Sequence, residues 1–318
     1  MWTGPRLPAV AWLTACSALE RSGLKQVTIH HEDAELARCP LAVDLVARGA
    51  KLRLCDGDAL LATLKLPAGD RTRLRQILAR LQQPAARSNV IRAAILHAEG
   101  GVYLDTDAIV VRSLVSLLSL PGFAGLEHIA LPVKTLDSGR PGPWIRAGAL
   151  MGIRELLARA PGGERGFKWV AGAFSLSVNN AVLGACPGHP TLDAVLRTAA
   201  ILPDATAMAR YRLGTKLLET ITDNRSTADF VLYPPEAFYP FGPEMSWHLF
   251  RRRDAVDLAV DLPAATCVVH LYDSVLRRRT GDTLDAAWLL RHRDDTIVGA
   301  LCAPWIDALA ALTAAEHV

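Results

Sequence analysis

Residues 88–107, SNVIRAAILHAEGGVYLDTD, constrain the fold of this 318-residue chain more tightly than any other stretch. Val90, Ile91, Ala94, Ile95 and Ala98 recur at helical spacing, which predicts an amphipathic helix opening at Ser88, a good N-cap residue. Gly100 and Gly101 stop that helix, and 102–104 reads as the start of a buried strand. The strand delivers Asp105 and Asp107. As residues i and i+2 they face the same way, so their carboxylates converge as the strand ends. A bare Asp-x-Asp is as easily two solvated loop carboxylates. Behind two glycines and an apolar strand it reads as two hard oxygen ligands at the carboxyl end of a parallel strand. Such a pair suits Mg2+ or Mn2+ and leaves room for a diphosphate.

The chain before this segment alternates helix and strand. A helix is expected over 8–21, with Val10, Leu13, Cys16 and Leu19 facing inward, then a strand over 26–29. A helix over 40–47 begins at a proline and ends before Gly49; a strand over 51–54 and a helical stretch through Arg80 follow. This rhythm predicts an α/β fold with a mostly parallel central sheet and flanking helices. Residues 121–166 are rich in Gly and Pro and yield no clear element. Short strands resume from Val170, with helices over 191–198 and 214–222, a last strand over 268–272, and amphipathic helices from Thr283. With no repeat and no low-complexity linker, the expectation is a catalytic α/β domain over 1–275 and a helical C-terminal extension over 276–318 packed on it.

Composition narrows the function classes. At 51% hydrophobic and 21% charged residues the chain can bury a large core. Its net charge of +3 is dispersed among Arg71, Arg73 and Arg75, then 251–253, then 277–279. A nucleic-acid binder carries a larger excess with interleaved aromatics, so nucleic acid is not the expected partner, whereas a diphosphate needs only a few arginines. The six cysteines lie far apart without CxxC spacing, which argues against structural zinc and for small buried hydrophobes in a reducing compartment. The chain opens on no leader-like pattern, and no run of ~18 apolar residues lacks a charge or a breaker. A soluble cytoplasmic protein is expected, without a membrane span and at most peripheral to the inner membrane face.

On Ser88, Asn89, Arg92, Gly100, Gly101, Tyr103, Asp105 and Asp107 the sequence resembles the glycosyltransferases with a DXD motif and the GT-A fold. Among these it is most similar to the group of initiating α1,6-mannosyltransferases and α1,4-galactosyltransferases, and more remotely to the large clostridial glucosylating toxins. Weaker similarities extend over roughly residues 1–275: Met1-Trp2-Thr3-Gly4, Asn179-Asn180 with Pro187-Gly188-His189-Pro190, Tyr233-Pro234-Pro235-Glu236, and His270-Leu271-Tyr272. The resemblance implies a Rossmann-type GT-A fold. It also implies metal-dependent, retaining transfer of a hexose or derivative from a UDP- or GDP-sugar. The acceptor hydroxyl, on a glycan, lipid, small molecule or protein, stays unidentified.

The same resemblance implies site roles. Asp105, Asp107 and His270 would hold Mn2+ or Mg2+, with Asp105 leaning toward the ribose. Trp2 would lie by the nucleobase, Asn89 and Arg92 would face the donor sugar and phosphate, and Asn180 would lie beside the transferred sugar. Tyr103 is read chiefly as packing, and Asp273 and Ser274 as alternatives for phosphate or metal. Asn89 departs from the family's usual Asp and brings hydrogen bonds without charge. His30, His31 and Glu32 do not form HExxH and are expected as strand-end surface. Two rival readings stand beside this one. A HAD-type phosphatase also places Asp-x-Asp after an apolar strand, although nearer its chain start and with a later paired acidic motif. Here Asp294-Asp295 falls in a helical, charged stretch. The other rival is an inactive relative that binds nucleotide-sugar.

Overall fold

The computed structural model describes residues 1–136, 138–209 and 212–314; positions 315–318 of the expected C-terminal extension lie outside the described residues. The strands are β1 (Thr28–His31), β2 (Lys51–Leu54), β3 (Gly101–Leu104), β4 (Ala108–Val110), β5 (Gly122–Ile129), β6 (Ser175–Ala185), β7 (Val231–Tyr233) and β8 (Val268–His270). β1 and β2 pair in parallel, and Trp2 adds a parallel bridge to His31. The largest sheet has the order β3-β6-β5-β7, and β4 pairs with β8. The fold is mixed α/β, with parallel and antiparallel strands.

The mostly parallel central sheet expected from the sequence needs correction. In the largest sheet only β5 and β7 run parallel; β3 and β5 are both antiparallel to β6, and β4 is antiparallel to β8. The early alternation of helix and strand suggested neighbours close in sequence. The strand before the two aspartates instead pairs with β6 from the second half of the chain, register Leu104 to Val182. Non-local pairing of this kind leaves no periodicity in the strand itself.

Helix starts follow proline, whose fixed φ and missing N–H suit a first turn. Pro40, Pro84, Pro141 and Pro190 each open a helix. The helix expected to begin at Ser88 therefore begins at Pro84 and runs to Glu99, with Ser88 buried inside it. It stops at Gly100, whose φ of 71° favours glycine; a Cβ there would stand 2.6 Å from Pro187 Cδ. The first strand lies two residues later than expected. His31 at its end is buried, with Nδ1 2.8 Å from the Asp33 carbonyl oxygen, so the surface expectation for it fails. Helices Pro141–Arg159 and Gly163–Val170 fill the stretch the sequence left open. Asp294 and Asp295 lie in a turn between helices.

The helix Ala9–Arg21 buries Trp12, Leu13 and Cys16 completely. Its partners in that core include Leu41 and Leu45 of Pro40–Ala47, and Trp288, Ile297, Leu301, Ile306 and Leu309 near the C-terminus. Each such large apolar side chain contributes about 1.5–3 kcal/mol by leaving water. Trp305 Nε1 donates to Glu20 Oε1 at 2.8 Å, tying the last helices to the first. The segment Ile297–Ala314 is long and apolar enough to cross a membrane; it is interrupted around Pro304 and contributes seven buried side chains to this core: Ile297, Val298, Leu301, Cys302, Trp305, Ile306 and Leu309.

Candidate active site

The helix Pro84–Glu99 lies against β3 and β6 and presents Arg92 to both. Arg92 is buried at 5% exposure, so its charge needs partners. Nη1 donates to the Asn180 carbonyl oxygen at 2.7 Å, and Nη2 lies 2.9 Å from Asp105 Oδ1 and 3.4 Å from Ser88 Oγ. The guanidinium stacks over the Tyr103 ring at 4.3 Å. Burial works against the Arg92 charge, but Asp105 and its other neighbours outweigh burial and raise its pKa further. Tyr103 OH donates to Asp105 Oδ1 at 2.9 Å, so Tyr103 helps to orient that carboxylate as well as packing. Burial pushes the Tyr103 phenol up. Asn180 Nδ2 donates to Asn89 Oδ1, and Thr215 Oγ1 donates to Asn180 Oδ1 at 3.4 Å.

The aspartates lie in the turn that joins β3 to β4, with the Ala108 N–H donating to the Asp105 carbonyl at 3.2 Å. Two hydroxyls of the first helix hold this turn: Thr14 Oγ1 donates to Thr106 O at 3.1 Å, and Ser17 Oγ accepts from Val110 N at 2.9 Å. The antiparallel β4–β8 pair then brings His270 to Asp107, Nε2 to Oδ1 at 3.0 Å, while the Asp273 N–H reaches Asp107 Oδ2 at 3.3 Å. Ligand atoms of Asp105, Asp107 and His270 all lie within 4.8 Å of one another. The side chains of Asp105 and Asp107 keep 28% and 16% exposure, so both reach solvent.

Electrostatics ties the group together. Burial alone would raise the Asp107 carboxyl; His270, by charge and hydrogen bond, and the Asp273 N–H hold it below its ordinary value. Burial would lower the His270 imidazole, but Asp107, Asp105 and Glu127 lift it to about 9. Two carboxylates and one imidazole form a donor set that could hold a divalent cation. A proton and a cation compete for the same imidazole nitrogen, so a cation bound there displaces a proton.

Of the remaining expected residues, Trp2 lies half-buried beside β1, its N–H donating to His30 O at 2.8 Å, and its buried Nε1 has no partner among the described residues. Ser274 is exposed at the start of the helix Ser274–Thr280, one residue past Asp273. Glu127, which the sequence did not mark, and Tyr272 and Asn179, which the resemblance includes without a role, support the site. Glu127, on β5 and buried, accepts at Oε2 from Tyr272 OH at 2.5 Å and from Asn179 Nδ2 at 2.7 Å. Burial raises the Glu127 carboxyl despite these bonds. Tyr272 takes φ 53°, a left-handed conformation uncommon for an aromatic residue, and its ring lies 4.0 Å from that of His270. Asn179 stands with Asn180 in a segment that shares the resemblance; Glu127 sits in the Gly- and Pro-rich stretch and carries no local signal.

Two cavities among the described residues are lined by other side chains. One of about 340 Å³ is lined by residues including His128, Phe167 and Glu236, and one of about 450 Å³ by residues including Glu32, Cys55 and Arg87.

No curated protein sequence matches the chain. A solved structure titled PaToxG Glycosyltransferase is similar at 12% identity and a TM-score of 0.41, over 70% of this chain and 66% of that one, just under two thirds of its length. The likeness is loose and partial. Residues 45–123, about a quarter of the chain, match the family model described as glycosyltransferase sugar-binding region containing DXD motif. That segment holds Arg92, Asp105 and Asp107, and the match supports a place for this chain among the DXD-containing glycosyltransferases.

Proposed function

We propose that the protein is a retaining, metal-dependent glycosyltransferase of the GT-A type that moves a hexose or a derivative from a UDP- or GDP-sugar to an acceptor hydroxyl. The observation that carries this reading is the convergence of Asp105, Asp107 and His270 within a segment pair drawn from distant parts of the chain. These three side chains would hold Mn2+ or Mg2+. A divalent cation bound there supplies positive charge for the diphosphate that departs with the nucleotide.

The chain's own residues supply the rest. Arg92, already fixed by Asn180 O and Asp105, would set the donor's phosphate and sugar against the motif, and Asn89 and Asn180 would offer amide donors and acceptors to sugar hydroxyls. Trp2 would flank the base. Ser274, exposed beside Asp273, would reach a phosphate oxygen. In this reading residues 1–275 form the catalytic unit, 276–318 form its helical extension, and the enzyme works in the cytoplasm. Phosphomonoester hydrolysis of the HAD type is not favoured.

Thermal-shift measurements with UDP- and GDP-sugars, with and without Mn2+, test the proposal. We expect a nucleotide-sugar to raise Tm more with Mn2+ than without, and Asp107→Asn to abolish the metal-dependent part. An identical shift in Asp107→Asn would remove the site from consideration.

A further inference from the structure

The helix Pro141–Arg159 turns its Ala147, Leu150 and Ala158 side chains inward. Ile145, Gly148, Ala149, Gly152, Ile153 and Leu156 are all exposed. At helical spacing these six fall within an arc of about 140°, so they form one continuous apolar face. Ile145 and Leu156 are 72% and 70% exposed, and Trp169 on the adjoining helix Gly163–Val170 is 91% exposed. Scattered exposed apolar residues are ordinary; a face this long with an open tryptophan beside it marks an interaction surface.

The charge on the same two helices identifies the partner. Residues 140–170 contain six basic and two acidic side chains. Both acids are engaged: Glu155 with Arg159 at 3.3 Å and Arg279 at 3.4 Å, Glu164 with Arg253 at 3.1 Å. Arg140, Arg146, Arg165 and Lys168 stay exposed on the same segment. A second copy would oppose one net-positive face with another. An anionic bilayer offers acyl chains to the apolar arc, an interfacial zone to the tryptophan, and phosphates to the cations.

We propose that the helices Pro141–Arg159 and Gly163–Val170 dock the protein on an anionic lipid surface. This does not depend on the transfer reaction proposed above. The test is co-sedimentation of the full chain with vesicles of phosphatidylcholine alone and of equal parts phosphatidylcholine and phosphatidylglycerol. Binding is expected to the mixed vesicles and not to the neutral ones. Arg165→Gln and Lys168→Gln should each weaken it about fivefold, a loss of about 1 kcal/mol per basic residue. Ile145→Ser with Leu156→Ser should abolish it, and since all four side chains are exposed the Tm should not fall. Equal binding to both vesicle types, or none to either, would overturn the proposal. So would a dimer in sedimentation velocity that Ile145→Ser with Leu156→Ser dissolves, because the face would then belong to a second copy.

Discussion

Asn180 Nδ2 donates to Asn89 Oδ1 at 3.0 Å, so the residue standing where the resembling glycosyltransferases carry Asp is held by a side chain from β6. Its amide also packs tightly against Gly214, where a Cβ would stand 2.5 Å from Asn89 Nδ2. A carboxylate at 89 accepts the same bond from Asn180, strengthened by charge. Asn89→Asp is therefore expected to fold with an unchanged Tm and to enlarge the Tm shift given by its preferred nucleotide-sugar. Gly214→Ala should displace Asn89, cost about 1–3 kcal/mol in urea unfolding, and shrink that shift.

Arg92 is the buried cation on which Asp105 and the Asn180 backbone both depend. Removing one partner of a buried ion pair costs about 3–5 kcal/mol. Urea denaturation of Arg92→Met should show a loss of that size. Arg92→Lys should recover only part of it, because a single ammonium cannot serve Asn180 O, Ser88 Oγ and Asp105 in one geometry.

Removal of the Tyr272 hydroxyl leaves the Glu127 carboxyl, in the structure, with the Asn179 amide. Tyr272→Phe is expected to destabilise the fold by about 1–3 kcal/mol, the cost of an unmet buried polar group. Because Tyr272 lies between His270 and the Asp273 N–H that reaches Asp107, the variant should also weaken Mn2+-dependent stabilisation. Isothermal titration with Mn2+ measures that effect apart from global stability.

Acid sensitivity should be traceable to Glu164. Burial would raise its carboxyl, but the His248 hydrogen bond and the Arg253 charge bring it from 4.5 down to about 2. A carboxyl depressed by folding adds stability that is complete above the unfolded value and disappears as pH falls through the folded one. The contribution, on the order of 3 kcal/mol, should be present above about pH 5 and decline between pH 4.5 and 2. Urea midpoints across that range should fall more steeply for the parent than for Glu164→Gln.

The local part of the site was legible in the residues themselves, and of the long-range part His270 was expected by resemblance while the strand pairing was not. The spacing of Val90, Ile91, Ala94 and Ile95, followed by Gly100, marked the helix, its end and the approach to Asp105 and Asp107, because these features lie within one continuous segment. Which way β3 runs against its neighbour depends on Leu104 meeting Val182, a pairing that neither strand announces. Pro84 outweighed Ser88 as a helix start because a fixed φ acts regardless of the cap. Glu127 was invisible because β5 carries its acid within the sequence Gly-Leu-Glu-His-Ile, where only the fold reveals Tyr272 and Asn179 beside it.

Asp107 and His270 are 163 positions apart, yet they meet across one short antiparallel pair. During synthesis the carboxylates are made well before the imidazole exists, so a nascent chain carries an incomplete clasp while the residues between them are added. On the metal-binding reading proposed above, a cation gripped by all three side chains is thus acquired only after His270 has been added and β8 has paired with β4.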